Sequence, residues 1–188
     1  MIMQPLNQGV FVKKLFFMLV AIPSIIFGTE IDLKNSTFKW TGTKVTGSHY
    51  GMVSLQSAKM EEKDGHILSG EFVMDMKSIT CLDLQGEWMD KLLGHLKNDD
   101  FFAVDKHPTA TLKIQHAMMG KLEGELIVKG VSQPVNVEYT KTGSTYAGTL
   151  KFDRTKFGIQ YGSGNFFQGL GDKMIHDEVT VEFSVVTK

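Results

Sequence analysis

Only one cysteine, Cys81, occurs among the 188 residues, so no intrachain disulfide can form. It lies far beyond the apolar segment near the amino terminus, and no cysteine ends that segment to take the lipid of a bacterial lipoprotein. Long runs of Lys or Arg are missing as well. Binding to nucleic acid needs clustered cations that neutralise phosphates, and here 20 Lys and Arg stand against 21 Asp and Glu, a formal net charge of −1. Nucleic acid is not an expected partner. A membrane-spanning helix needs about 20 apolar residues; the run Leu15 to Phe27 is shorter and is interrupted by Pro23.

Signatures of catalysis and metal binding are equally scarce. The six histidines, His49, His66, His95, His107, His116 and His176, are scattered. None forms the His-x-x-x-His or mixed Cys/His spacing that puts two ligands on one face, so no metal site is expected. Around Ser163 the order Phe157-Gly-Ile-Gln-Tyr-Gly-Ser-Gly164 lacks Gly-x-Ser-x-Gly and its strand-to-helix setting. Gly162-Ser-Gly164-Asn-Phe-Phe167 puts Phe where a dinucleotide loop needs its third glycine. No catalytic residue and no cofactor is expected.

The amino terminus departs from the average: Lys13 and Lys14 precede the apolar run, which gives way to Gly28, Thr29 and Glu30. This reads as a secretory signal peptide over residues 1–28, with the mature domain over 29–188. A small residue suits cleavage after Gly28, although Ile26 and Phe27 make the site an imperfect one. Without Lys13 and Lys14 the charge is about −3. The expected product is free in the periplasm or secreted, with no stable membrane anchor after processing.

After the leader, short stretches of period-two alternation recur between turn signals, as in antiparallel strands wet on one face. Phe38 and Trp40 begin the series, and Val53 and Leu55 continue it. Leu68, Gly70, Phe72, Met74 and Met76 share one face. The same spacing holds for Ala110, Leu112 and Ile114, for Leu122, Gly124, Leu126 and Val128, and for Val135, Val137 and Tyr139. Tyr146, Gly148, Leu150 and Phe152 follow, then Val179, Val181, Phe183 and Val185. Gly86 to Lys97 instead places Trp88, Met89, Leu92, Leu93 and Leu96 at helical spacing, with Asp83 or Gln85 as a cap and Asn98-Asp-Asp100 as a stop.

About eight strands and one amphipathic helix predict an all-β domain, most economically an eight-stranded antiparallel lipocalin-like barrel, since closure removes exposed edges. A sandwich is the rival. Barrels of this size are filled by side chains or hold one small ligand. Gly70, Gly124 and Gly148, each on an apolar face, either leave volume for a ligand or permit the sharp bending of closure. The 13 Phe and 11 Met suit a long flexible ligand and equally suit an ordinary core.

Several separate segments resemble the YceI-like family of bacterial proteins: Gly94-His-Leu-Lys-Asn-Asp-Asp-Phe-Phe102, Pro108-Thr-Ala-Thr111, Leu126-Ile-Val-Lys-Gly-Val131 with Pro134-Val135, and Phe152-Asp-Arg-Thr-Lys-Phe-Gly158. The resemblance extends from about Phe38 to Val185. It implies a lipocalin-like barrel with an apolar interior that binds a polyisoprenoid, an isoprenoid quinone or another long-chain lipid, and it carries no catalytic set. A homodimer is compatible with the sequence.

On this reading the walls of an apolar tunnel come from Trp40, Phe72, Met74, Met76, Leu112, Leu126 and Val128, with Val137, Tyr139, Tyr146, Leu150 and Phe152. Leu92, Leu93, Leu96, Phe101 and Phe102 plug or line one mouth, with Phe157 nearby. Lys44, His49, His95, Arg154 and Lys156 are the candidates for meeting a polar head, which must be solvated or paired. Two other classes compete: an enzyme using His95 or His49 on an amphiphile, which needs a paired carboxylate in the cavity, and a filled barrel acting through its surface.

Overall fold

A computed structural model describes residues 28–63, 66–118 and 120–188. The expected leader therefore lies outside the described residues, apart from Gly28. The strands are β1 (Gly28–Thr29), β2 (Thr37–Lys44), β3 (Gly47–Met52), β4 (Ser54–Lys63), β5 (His66–Asp75), β6 (Thr109–Met118), β7 (Lys121–Val128), β8 (Val131–Thr142), β9 (Thr145–Asp153) and β10 (Ile175–Val186). Among the described residues a single α-helix, α1, spans Gly86–Lys97, the span its apolar spacing predicts. All ladders are antiparallel, in the order β1-β4-β5-β6-β7-β8-β9-β10-β2-β3.

Ten strands reduce to the expected eight for a physical reason. Only Val53 separates β3 from β4, and its N–H donates to the Phe38 carbonyl (3.0 Å). One bent run thus pairs with β2 on one side and with β5 on the other, curling the sheet into a barrel. Strand β1 merely adds two residues to β4. The free edge of β3 is satisfied by the segment before α1: the N–H groups of Thr80 and Leu82 donate to Met52 and Tyr50 carbonyls, both at 2.9 Å.

Bulges redirect side chains that simple alternation assigns otherwise. Ser57 pairs with Val73 and Leu55 with Met74, so Gln56 is an extra residue on β4, and beyond it Ala58, Met60 and Glu62 share the inner face. On β5 the extra residue is Leu68. Alternation puts Leu68 inside; the bulge leaves it 42% exposed and buries Ile67 to 4%. Between β2 and β10, Lys44 pairs with Ile175 but Gly42 with Val179, which inserts two residues into β10 beside His176.

The inward glycines answer to backbone proximity. A Cβ at Gly124 would lie 2.2 Å from the Lys113 carbonyl oxygen, and one at Gly148 would lie 2.3 Å from that of Glu138. Strands bend together there, and the curvature reading prevails over the ligand-space reading at these two sites.

Helix α1 lies on the barrel through its later turns. Leu96 is buried and Leu92 and Leu93 pack on the core, whereas Trp88, which its spacing places on the apolar face, is 71% exposed with the Lys91 ammonium 5.0 Å from its ring. Gln85 precedes the helix without a side-chain cap, because Asp83 is committed elsewhere; the Asn98 N–H closes the helix on the His95 carbonyl. Antiparallel alternation puts α1 and the long β9–β10 connection at one end of the barrel, here the helix end. The β4–β5, β6–β7 and β8–β9 turns share the other, the hairpin end.

Candidate functional site

The barrel encloses an elongated cavity of about 170 Å³, counting only space that the centre of a water molecule can reach. Its wall is apolar almost throughout, with Thr111, Arg154, His176 and the two tyrosines as polar exceptions. An interior of this kind keeps its volume against the close packing that normally fills protein cores.

The wall contains Trp40, Phe72, Met74, Met76, Leu96, Phe101 and Phe102. It also contains Leu112, Leu126, Val128, Val137, Tyr139, Tyr146, Leu150, Phe152 and Arg154. Inward parity on β2 and on β5 to β9 places most of these residues; Met76 and Arg154 come from the turns that follow β5 and β9, Leu96 from α1 and the two phenylalanines from the turn after it. Leu92 and Leu93 instead wedge α1 against the core from outside. Phe157 is fully buried behind the wall, its ring 5.5 Å from that of Phe152.

Four expected head-group residues sit off the cavity. Lys44 ends β2 beyond the rim. His49 is held by the Asp83 carboxylate at 2.7 Å, which also accepts from the Tyr50 N–H. Burial would raise the Asp83 pKa, but the Tyr50 N–H and His49 outweigh it and leave the carboxyl below its ordinary value. His95 packs between Phe101, edge to face, and Tyr161, with ring centroids at 5.3 and 4.3 Å. Lys156 is exposed, on the short turn after β9.

Arg154 is 1% exposed and frames the helix end. Its Nε donates to the His176 carbonyl (3.1 Å), Nη1 to Ile159 (2.8 Å) and Nη2 to Ile175 (3.1 Å). Asp177 lies 3.2 Å from Nη2 but out of line for a hydrogen bond; its other oxygen accepts from Ser163 and Asn165. Burial lowers the Arg154 pKa, and Asp177 and Asp153 oppose that shift. The guanidinium thus ties the β9–β10 connection to β10 and has its donors turned to the backbone.

Sequence reasoning missed His176, Met60, Ile79 and Gly42 as wall residues. His176 is exposed and also lines the cavity, so the cavity reaches solvent at the β10 bulge, where the ring Nδ1 lies 2.8 Å from the Thr43 hydroxyl. Gly42 faces open space: a Cβ there meets nothing within 4 Å. The extra residues on β10 leave no trace in hydropathy, so only the Gly42 of Trp40-Thr-Gly-Thr-Lys44 signalled an opening.

At the hairpin end, Glu62 of β4 and Lys141 of β8 form an ion pair beside Tyr146. Burial would raise the Glu62 pKa, but the hydrogen bonds from Lys141 and from the Tyr146 hydroxyl outweigh it and hold the carboxyl below the ordinary range. Burial pushes the Tyr146 phenol up to about 12, the Glu62 carboxylate adding to it.

Solved structures share this fold. BcnA of Burkholderia cenocepacia matches with a TM-score of 0.66 at 21% identity, over 85% of this chain and 100% of that one. A polyisoprenoid binding domain from Saccharophagus degradans, implicated in plant cell wall breakdown, matches at 0.57 and 13% identity, over 87% and 98%. A Campylobacter jejuni YceI protein matches at 0.51 and 15%, over 97% and 93%. No curated protein sequence matches the chain. The YceI-like domain matches residues 30–187, nearly everything past the apolar run Leu15 to Phe27, and on that match the chain belongs to the YceI-like family.

Proposed function

We propose that this protein binds a long-chain amphiphile of the polyisoprenoid type in the barrel cavity, and carries or sequesters it after export. The observation that carries this reading is the open apolar cavity, whose wall continues from the hairpin end to the helix end without a carboxylate. Burying about ten methylene groups at about 0.8 kcal/mol each contributes about 8 kcal/mol before ordering costs. A chain of about twenty carbons doubles that gross figure, which covers ordering costs of several kcal/mol and still leaves the roughly 8 kcal/mol of micromolar affinity without a strong head-group contact. The polyisoprenoid-binding neighbour and the family support the ligand class, and the apolar leader at Leu15 to Phe27 supports export.

An enzymatic role finds no support in the wall, which holds one histidine, His176, and no carboxylate to pair with it. Native mass spectrometry of protein recovered from its own host tests binding: one amphiphile should co-purify. Trp40 lines the cavity, so a Trp88→Phe variant should change its remaining emission on titration with a prenyl chain. Repeated absence of bound mass together with an unchanged Trp40 signal would falsify the reading.

A further inference from the structure

Exposed aromatic side chains gather at one end of the barrel. Trp88 stands out from the first turn of α1, and Phe166 and Phe167, each 49% exposed, share the β9–β10 connection with the exposed Tyr161. Every exposed Trp and Phe among the described residues is therefore at the helix end, whereas the large apolar side chains exposed at the hairpin end are the aliphatic Leu33, Leu68 and Met118. The helix-end side chains belong to one rim. Trp88 and His95, seven residues apart, share a face of α1, and the Tyr161 ring packs on His95. Beyond Tyr161 the connection doubles back, with the Ile175 N–H on the Gly162 carbonyl (2.8 Å) and the Val45 N–H on that of Met174 (3.2 Å). The exposed Val45 of the β2–β3 turn thus adjoins the connection, close to the cavity opening at Gly42 and His176.

The two phenylalanines are held outward by a fastened loop. Their N–H groups donate to the Ser163 carbonyl (3.0 and 3.1 Å), and the fully buried Ser163 donates its hydroxyl to Asp177 (2.9 Å), as Asn165 does its amide (2.7 Å). The charges on the same segments define what covers this rim. Lys44, Lys91, Lys156 and Lys173 stand there against Glu87, Asp90 and Asp172, while carboxylates outnumber cations in the rest of the chain. Lys91 is taken by Glu87 (2.7 Å), and Lys44, Lys156 and Lys173 make no ion pair among the described residues. Lysine is depleted from the cores of protein interfaces. At a bilayer surface the same mixture is favourable: aromatic rings settle at the boundary of head groups and acyl chains, and ammonium groups stay level with the phosphates.

We propose that the helix end seats on the surface of a phospholipid bilayer, with Trp88, Phe166 and Phe167 entering the head-group boundary and Lys44, Lys156 and Lys173 meeting lipid phosphates. Seated in this way, the opening at Gly42 and His176 lies beside the apolar layer that holds long-chain amphiphiles, and a chain passes into the bore with little of its length exposed to water. The meaning of that opening rests on the cavity being the ligand site; the seating itself is measured without any ligand.

The test is flotation with vesicles of phosphatidylcholine and phosphatidylglycerol, paired with uptake of geranylgeraniol delivered either from cyclodextrin or from the vesicles. Wild type should float. The double variant Phe166→Ser, Phe167→Ser should bind vesicles about tenfold less tightly, and Lys44→Gln with Lys173→Gln should also lose about tenfold, most of it at low salt and on vesicles containing phosphatidylglycerol. Because both phenylalanines are exposed and off the cavity wall, the Phe166/Phe167 variant should keep the wild-type Tm and its affinity for geranylgeraniol from cyclodextrin, while its uptake from vesicles slows about tenfold. Wild type that stays unbound, a Phe166/Phe167 variant that floats like wild type, or equal uptake from vesicles by the two overturns the docking assignment and leaves the cavity reading intact. Wild-type dimers in sedimentation that this variant loses, with neither protein floating, assign the rim to a second copy instead and also overturn it. Failure of wild type to take geranylgeraniol from cyclodextrin removes the cavity reading, and flotation then still decides the docking.

Discussion

The two ends of the bore are closed by opposite means. At the helix end, closure comes from segments outside the strands: α1, Phe101 and Phe102, and a connection fastened by Arg154 to three carbonyls. At the hairpin end the strands run straight into tight turns, and the closing element is a pair of side chains, Glu62 and Lys141, reaching across. The first kind of closure is covalently local and rich in backbone hydrogen bonds; the second joins residues 79 apart in sequence. Removing the key residue of each should therefore cost very different amounts.

The largest effect is expected at the helix end. Arg154→Met leaves three carbonyls and the Asp177 carboxylate without their cation, and breaking a buried pair of this kind costs about 3–5 kcal/mol; urea unfolding measures it. A loss no greater than that of Glu62→Gln would erase the contrast between the ends. Next comes Leu126→Trp, which fills the mid-bore. Overpacking should cost about 1–3 kcal/mol, while uptake of a prenyl chain falls at least tenfold on titration.

Glu62→Gln should cost about 1 kcal/mol, the scale of a partly exposed ion pair, and its pH dependence sharpens the comparison. The folded-state pKa of Glu62 lies below the unfolded value. Its contribution is thus present above the unfolded pKa and lost as pH falls through the folded one. The stability gap between wild type and Glu62→Gln should shrink on acidification from pH 5 downwards, which unfolding curves at several pH values would reveal. Smallest of all, Gly42→Leu should shift stability by under about 1 kcal/mol, because the added atoms enter open space at the helix end. Stopped-flow mixing should show slower ligand association.

The barrel was legible because eight alternating stretches and one helical stretch differ in period, and burial of one face enforces that period wherever pairing is regular. Phe72, Leu126 and Leu150 sit in the wall for this reason. Parity fails as a guide past a bulge. Alternation places Leu68 inside, yet it lies outside, and past the bulge at Gln56 the charged Glu62 shares the inner face. The polar residues were the least legible. Arg154 was noted for its charge, but its backbone partners come from a connection whose path hydropathy does not describe, and His49 found Asp83 through the pairing of β3 with the segment before α1.

The bend at Val53 has a mechanical meaning. One stretch of backbone belongs to both margins of the rolled sheet, so the seam of the tube is a peptide chain and not a row of hydrogen bonds. Pulling β2 away from β5 has to unzip the β2–β3 or the β4–β5 ladder or straighten the bend, because β3 and β4 themselves cannot part. Room for a bulkier guest has to be found elsewhere, by loosening the mismatched pairing of β2 with β10, where the circumference has slack.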